Sequence, residues 1–216
     1  MKRSLAYILS ACALVVLSAS CARTVSSYNY ADAKRYLEAW MSQNHPGVTM
    51  RPDGLYILDE TDGSGEVVGN KDYVFLTYTI RSISGAIEKT TDPEIMKQLG
   101  TFEKASYYGN HVWKLSDNQQ LAGVELALRD MKIGSTRQVV IPRWLLTNNR
   151  HDSLNDYLDD TKGASSDYIY ELKVSDATDS LDRWQIDTID RYIAANYEKS
   201  QIKKKSRGFR YIRLSE

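Results

Sequence analysis

The stretch Leu121–Pro142, LAGVELALRDMKIGSTRQVVIP, decides how the rest of the 216-residue chain is read. It opens around the small pair Ala122-Gly123. Leu121, Val124, Leu128 and Met131 then fall at i, i+3, i+7 and i+10, which makes one apolar stripe on a short helix. Lys132-Ile133-Gly134 ends that helix, with a cation in the last turn and glycine just beyond it. Thr136–Ile141 follows at once as a strand, closed by Pro142, which has no N–H for a sheet ladder. One short helix feeding straight into a strand has a sheet to lie on. Leu128 and Met131 are therefore expected in the core, and Leu121 and Val124 at the turn into the helix.

Working outward, Tyr30–Gln43 reads as a helix with Ala33, Tyr36, Leu37, Trp40 and Met41 on its apolar face, broken by His45-Pro46-Gly47. Gly54–Leu58 reads as a strand and Asp59–Gly65 as an acidic, glycine-rich turn. Tyr73–Ile80 is a long strand with Val74, Leu76, Tyr78 and Ile80 on one face. After a turn at Ser82–Gly85, Ala86–Thr90 begins another strand. Thr91-Asp92-Pro93-Glu94 then caps a short helix running to about Leu99. His111–Leu115 is a brief strand. Arg143–Ser166 is long and polar with a helical turn at Leu154–Leu158, and Tyr168–Val174 is the last strand of the sheet. Trp184–Asn196 reads as a further helix and Gly208–Leu214 as a strand. Together they either echo the helix and strand at Tyr30–Leu58 as an internal repeat or match them only because helix followed by strand is common.

A chain with 42% hydrophobic residues is long enough for one well-buried domain and some extension. Its 15 tyrosines against three phenylalanines suit half-buried strands and wet binding surfaces, because the ring buries while the hydroxyl finds a partner. Formal charge balances at 28 against 28, which gives no global argument for nucleic acid. His45, His111 and His151 share no ligand spacing, so no metal site is expected. No Ser/His/Asp signature or phosphate loop is present. Asp59–Glu66 has the composition of a calcium loop without its spacing. Lys203-Lys204-Lys205 with Arg207, Arg210 and Arg213 forms a basic cluster, read either as a solvated face or as a contact for anionic lipid or glycan.

The first twenty residues read as a targeting segment outside the fold. Lys2-Arg3 is the positive region and Leu5–Leu17 the apolar one, with Ser18-Ala19-Ser20 before Cys21. The arrangement resembles a bacterial lipoprotein signal whose cysteine is lipidated and becomes the mature N-terminus. Cys12 behind Leu9-Ser10-Ala11 is the competing match, and an ordinary secretory signal or uncleaved anchor the other reading. The apolar run is shorter than the ~20 residues that a spanning helix needs. Cys21 as the lipid attachment site implies a cell-envelope location, with the periplasmic face preferred. Cleavage there leaves 26 basic against 28 acidic residues. The organisation expected is a signal at 1–20, a tether and helix at 21–50, the main domain at 51–178 and a C-terminal extension at 179–216.

Several motifs occur in order along the main domain. They are Gly63-Ser64-Gly65, Val74-Phe75-Leu76-Thr77-Tyr78-Thr79, Gly85–Thr90, Leu121-Ala122-Gly123-Val124, Met131–Arg137, Val140-Ile141-Pro142 and Ile169-Tyr170-Glu171-Leu172. In this order and spacing, over about Gly54–Val174, the chain resembles the FKBP family of peptidyl-prolyl cis–trans isomerases. The resemblance implies an α+β fold, an antiparallel sheet wrapped around one short helix, with extra helices at both ends. It also implies a lipid-anchored isomerase that assists folding of envelope proteins. The partners implied are proline-containing polypeptides, with the membrane reached through the lipid on Cys21. The chemistry needs neither cofactor nor metal. The X–Pro bond has a barrier of ~18–20 kcal/mol set by amide resonance, and an apolar pocket that favours the twisted amide lowers it.

By the same resemblance the pocket is Tyr78, Trp113, Leu121, Val124 and Tyr170, and the backbone N–H of Leu121 holds a substrate carbonyl. From the sequence alone these side chains also read as plain core, which sheet-facing aromatics over a helix are more often than site. In strict register the family's phenylalanine and aspartate fall on Glu88 and Lys89. With the turn shortened by one residue they fall on Ile87 and Glu88, and both registers stay open. The family's aromatic after the Ile-Pro strand is replaced by Arg143-Trp144-Leu145-Leu146-Thr147, and its proline-rich flap by polar residues 148–166. Trp144 has two readings, filling the pocket or adding an aromatic contact. These departures keep a second function in view, that of a non-catalytic binding or scaffold lipoprotein.

Overall fold

The computed structural model describes residues 30–198, 202–204 and 210–212; Cys12, Cys21 and the segment read as a signal lie outside these. Strands β1 (Tyr56–Thr61), β2 (Tyr73–Ser82), β3 (Ile87–Thr90), β4 (His111–Lys114), β5 (Thr136–Ile141) and β6 (Tyr168–Thr178) form one antiparallel sheet. Its order is β1-β5-β6-β2-β3, with β4 beside β2. Helices α1 (Ala31–Asn44), α2 (Pro93–Gln98), α3 (Ala122–Arg129), α4 (Leu154–Asp159) and α5 (Leu181–Asn196) surround it. This is the α+β architecture expected, an antiparallel sheet wrapped around one short helix.

Helix α3 lies on the sheet because its stripe and the sheet's alternation agree. Val124, Ala127, Leu128 and Met131 are buried in one cluster with Val74, Leu76 and Tyr78 of β2, Val139 and Ile141 of β5, and Tyr170, Leu172 and Val174 of β6. Gly123 permits the close approach, since a Cβ there would stand 2.4 Å from Ile141 and 2.9 Å from Leu145. Gly134 turns the chain into β5 at φ +90°, a left-handed conformation that glycine adopts without strain. Arg137 fixes the other end of α3. Buried on β5, it donates 2.7 Å to the Ala127 carbonyl and pairs with Asp130 and Glu60. A cation at a helix C-terminus also opposes the helix dipole.

Two expected strand ends and one helix face shift, the strand ends each for a visible reason. Strand β1 continues to Thr61, through part of the stretch read as a turn. A bulge at Leu58 keeps it in register with β5 and brings Glu60 to the Arg137 guanidinium. Strand β6 continues to Thr178 because β2 offers Tyr73–Phe75 as further partners. A bulge at Ser175 absorbs the shift, and its hydroxyl donates to the Phe75 carbonyl at 2.9 Å. Helix α1 buries Leu37 and Met41 but leaves Tyr36 61% exposed, so the apolar face is narrower than the sequence suggests. At the C-terminal end, the Trp184 ring of α5 stacks on Phe75 at 4.0 Å while its N–H donates to Asp176. The strand expected at Gly208–Leu214 is described at Arg210–Ile212 (β8), paired antiparallel with Ile202–Lys204 (β7). Arg210 of the basic cluster donates to both carboxylate oxygens of Asp190 on α5.

Candidate functional site

The aromatic cluster on the α3 face of the sheet is assembled by strand register. Val74 of β2 lies opposite Trp113 of β4 and Leu76 opposite His111, so both rings share a face with the even-numbered residues of β2. The Tyr78 ring therefore meets Trp113 at 4.7 Å and the edge of His111 at 5.7 Å. On the other side of β2, Tyr170 of β6 lies opposite Ile80, and Val139 of β5 lies opposite Tyr170. Tyr78 and Tyr170 are buried, while Trp113 and His111 are half-buried. Burial, reinforced by the neighbouring Tyr168 and Tyr78 hydroxyls, pushes the Tyr170 phenol up to about 12. It is a neutral hydrogen-bond donor at any ordinary pH.

Leu121 stands immediately before α3 in extended conformation, half-buried against the same cluster. Its carbonyl accepts the first turn's bond from Glu125, and the next N–H, that of Ala122, donates 2.8 Å to the Thr147 carbonyl. Among the described residues the Leu121 N–H itself has no acceptor. Five of the residues expected at a pocket, Tyr78, Trp113, Leu121, Val124 and Tyr170, thus belong to one apolar cluster with a free backbone donor at its edge.

Residues 87–89 separate. Strand β3 pairs Thr79 with Thr90, Ile80 with Lys89 and Arg81 with Ile87, which leaves Glu88 in a bulge and exposed. Lys89 is brought to the pocket face, its ammonium 5.7 Å from the centre of the Tyr78 ring. Ile87 lies opposite Arg81, whose guanidinium bonds Glu171. Sequence reasoning missed His111 and Thr91. The signal for His111 was present, since His111 and Trp113 are two apart on one strand and must share a face. Thr91 binds Tyr78 through both backbone groups, which aligns the strand behind the ring.

The segment that replaces the proline-rich flap is tied down through polar contacts. Arg150 donates to the Gln120 carbonyl and to Glu125 of α3, both at 2.7 Å. Burial opposes ionisation of Glu125, but Arg150 and Arg129 outweigh it and hold its carboxyl below the ordinary value. Asp160 accepts from His151 and Asn149, which lowers its carboxyl to about 2. Trp144 is fully buried against Tyr30, 6.3 Å between ring centres, at the start of α1. It is an aromatic contact for the N-terminal helix. A separate cleft of about 510 Å³, with Thr77, Thr79, Tyr108, Gln138 and Glu171 in its lining, runs along the opposite face of the sheet. Tyr78 and Leu172 also reach it, among mostly threonine and charged side chains. Among the described residues no group of three His, Cys, Asp or Glu side chains could hold a metal ion.

The strand order, with one short helix entering through Leu121-Ala122-Gly123 and crossing the sheet, settles the architecture. The fold is FKBP-like. No protein-family model matches the chain, and no curated protein matches it. Among solved structures, FkpA from Escherichia coli is similar at 19% identity and TM-score 0.45, over 82% of this chain and 73% of that one. A peptidyl-prolyl cis–trans isomerase from Pseudomonas syringae pv. tomato is similar at 17% identity and TM-score 0.45, over 71% of this chain and 98% of its own. AtFKBP13 is similar at 12% identity and TM-score 0.41, over 61% and 98%. The aromatic cluster lies on the helix-facing side of this sheet.

Proposed function

We propose that the protein is a peptidyl-prolyl cis–trans isomerase, held in the bacterial cell envelope by lipid on Cys21 and acting on proline-containing segments of envelope proteins. The observation that carries this reading is the Tyr78–Trp113–Tyr170 cluster beside the unpaired N–H of Leu121. A proline ring buries against the aromatic wall. The Leu121 N–H then holds a substrate carbonyl, and the apolar surroundings favour the twisted amide, whose nitrogen is no longer conjugated to the carbonyl, over the planar one. No proton transfer, nucleophile or metal is required.

The test is refolding of a protein limited by proline isomerisation, with the purified protein added in catalytic amount. The slow phase is expected to accelerate in proportion to enzyme and to lose that acceleration with Tyr170→Ala. An unchanged slow phase at every X–Pro sequence tried would remove the isomerase. The second reading is a binding module without catalysis. Lys89 at the Tyr78 ring and the tethered 148–150 segment favour it. That reading requires peptide binding with no acceleration.

A further inference from the structure

We propose that Lys89 makes the pocket selective for prolines flanked by an acidic residue. The inference rests on the pocket reading above and names the substrate class it admits. The bulge at Glu88 gives Lys89 the position opposite Ile80, on the face shared with Tyr78 and Tyr170. Its ammonium lies over the same Tyr78 ring that packs on Trp113. Among the described residues Lys89 has no carboxylate partner, and the adjacent Glu88 sits exposed in the bulge, outside the pairing that places Lys89. Asp92 caps α2 by accepting from the Glu94 and Ile95 amides, Glu94 pairs with Lys97 at 2.6 Å, and Glu171 pairs with Arg81 at 2.8 Å.

A proline ring on this wall brings the neighbouring residues of the peptide to the rim, because consecutive Cα atoms are only ~3.8 Å apart. A carboxylate on either neighbour comes within ion-pair reach of the ammonium, and a second cation there is repelled. The site is half open to water, so the effect is modest. An exposed pair of this kind changes affinity by about two- to fivefold, and attraction against repulsion about doubles the span on a logarithmic scale. Added salt shrinks it, the screening length falling to roughly 3 Å in molar salt. Lys89 acts here on selection of the peptide; the aromatic wall and the Leu121 N–H act on the bond.

The experiment uses two peptide series, with Glu, Ala or Lys immediately before or immediately after the proline. Isomerisation is measured as kcat/KM and binding by calorimetry, at low and high salt, for the wild type, Lys89→Met and Lys89→Glu. In at least one series the wild type should prefer Glu over Ala over Lys, Lys89→Met should flatten the order, and Lys89→Glu should reverse it. An order that is absent, or identical in all three proteins, overturns the inference while isomerisation itself leaves the pocket reading standing. A Glu preference in binding that reverses with Lys89→Glu, without isomerisation of any peptide, sustains the inference and removes the catalytic reading. Failure to bind any peptide overturns both.

Discussion

Two aromatic clusters flank the short helix α3, and they have been finished differently. At one, Trp144 and Tyr30 are sealed. Helix α1 begins on them, the backbone N–H of Tyr30 donates to Leu158, and the Arg143–Asp167 pair closes the floor with Asp167 wholly buried. At the other, Tyr78 and Tyr170 are buried but Trp113 and His111 remain half-buried, the Leu121 N–H has no acceptor among the described residues, and a cation stands over the ring. The chemistry of the side chains is nearly the same in both. Exposure, not hydrogen-bond completion, separates them, since the buried Trp144 Nε1 also has no partner among the described residues; a cluster covered by its own chain stabilises the fold and an uncovered one keeps binding energy for a partner. Two tyrosines of the core are shifted to about 12, mainly through burial, Tyr56 near Glu38 and Asp167 and Tyr170 near Tyr168 and Tyr78.

The comparison can be broken by variants on either side. Trp144→Ala removes the largest fully buried side chain and should cost about 3–5 kcal/mol in urea unfolding, while the folded fraction binds proline peptides within about twofold of wild type, an effect too small to implicate a contact. A larger loss of binding than of stability would merge the two clusters into one. Asp167→Ala leaves the Arg143 guanidinium and backbone N–H without the carboxylate that receives them at 2.7 to 3.2 Å. The expected cost is about 3 kcal/mol, again read by unfolding and again with peptide affinity retained. On the open side the signature reverses. Tyr170→Ala should lower kcat/KM by about tenfold or more, about 1.4 kcal/mol in the transition state, whereas Tyr170→Phe keeps the wall and stays within a few-fold.

The smallest effect is one of pH. An unfolded tyrosine loses its proton near ~10, and folded Tyr170 keeps its proton to about 12. The folded state therefore holds more protons in that window. The stability this confers is complete below pH ~10 and is lost as pH rises from ~10 to ~12. Unfolding followed from about pH 9 to about pH 11 should show a decline of about 1 kcal/mol from this group. Tyr170→Phe should remove this share and leave that of Tyr56, which is raised to the same range, and an undiminished decline in the variant would assign it elsewhere.

Much of this arrangement is legible in the chain. The stripe Leu121–Val124–Leu128–Met131 and the alternation Val74–Leu76–Tyr78–Ile80 specify helix on sheet because both periodicities are strong and both are bounded by Gly or Pro. The motif order singles out Tyr78, Trp113, Leu121, Val124 and Tyr170, and the structure gathers these five in one apolar cluster. Residues 87–89 could not be placed because a bulge changes which side chain faces inward, and local sequence gives no count of the residues facing it. The extension of β1 to Thr61 depended on Arg137, some seventy-seven residues away in the chain, offering Glu60 a buried partner. The tether at 148–166 reads as polar surface, yet Asp160, Asn149 and His151 engage one another there only once the chain has turned back on itself. Trp144, open to two readings in the sequence, was resolved by Tyr30 arriving from the N-terminal helix.

The central claim is that the open cluster, not the sealed one, turns an X–Pro bond. Nuclear magnetic resonance exchange spectroscopy on a proline peptide, with the protein at a small fraction of the peptide concentration, measures that turnover directly. Cis–trans exchange cross-peaks should appear with the wild type and with Trp144→Ala, and weaken in step with the roughly tenfold or greater loss of rate with Tyr170→Ala. Exchange no faster than in peptide alone, or exchange that survives Tyr170→Ala unchanged, would contradict the account.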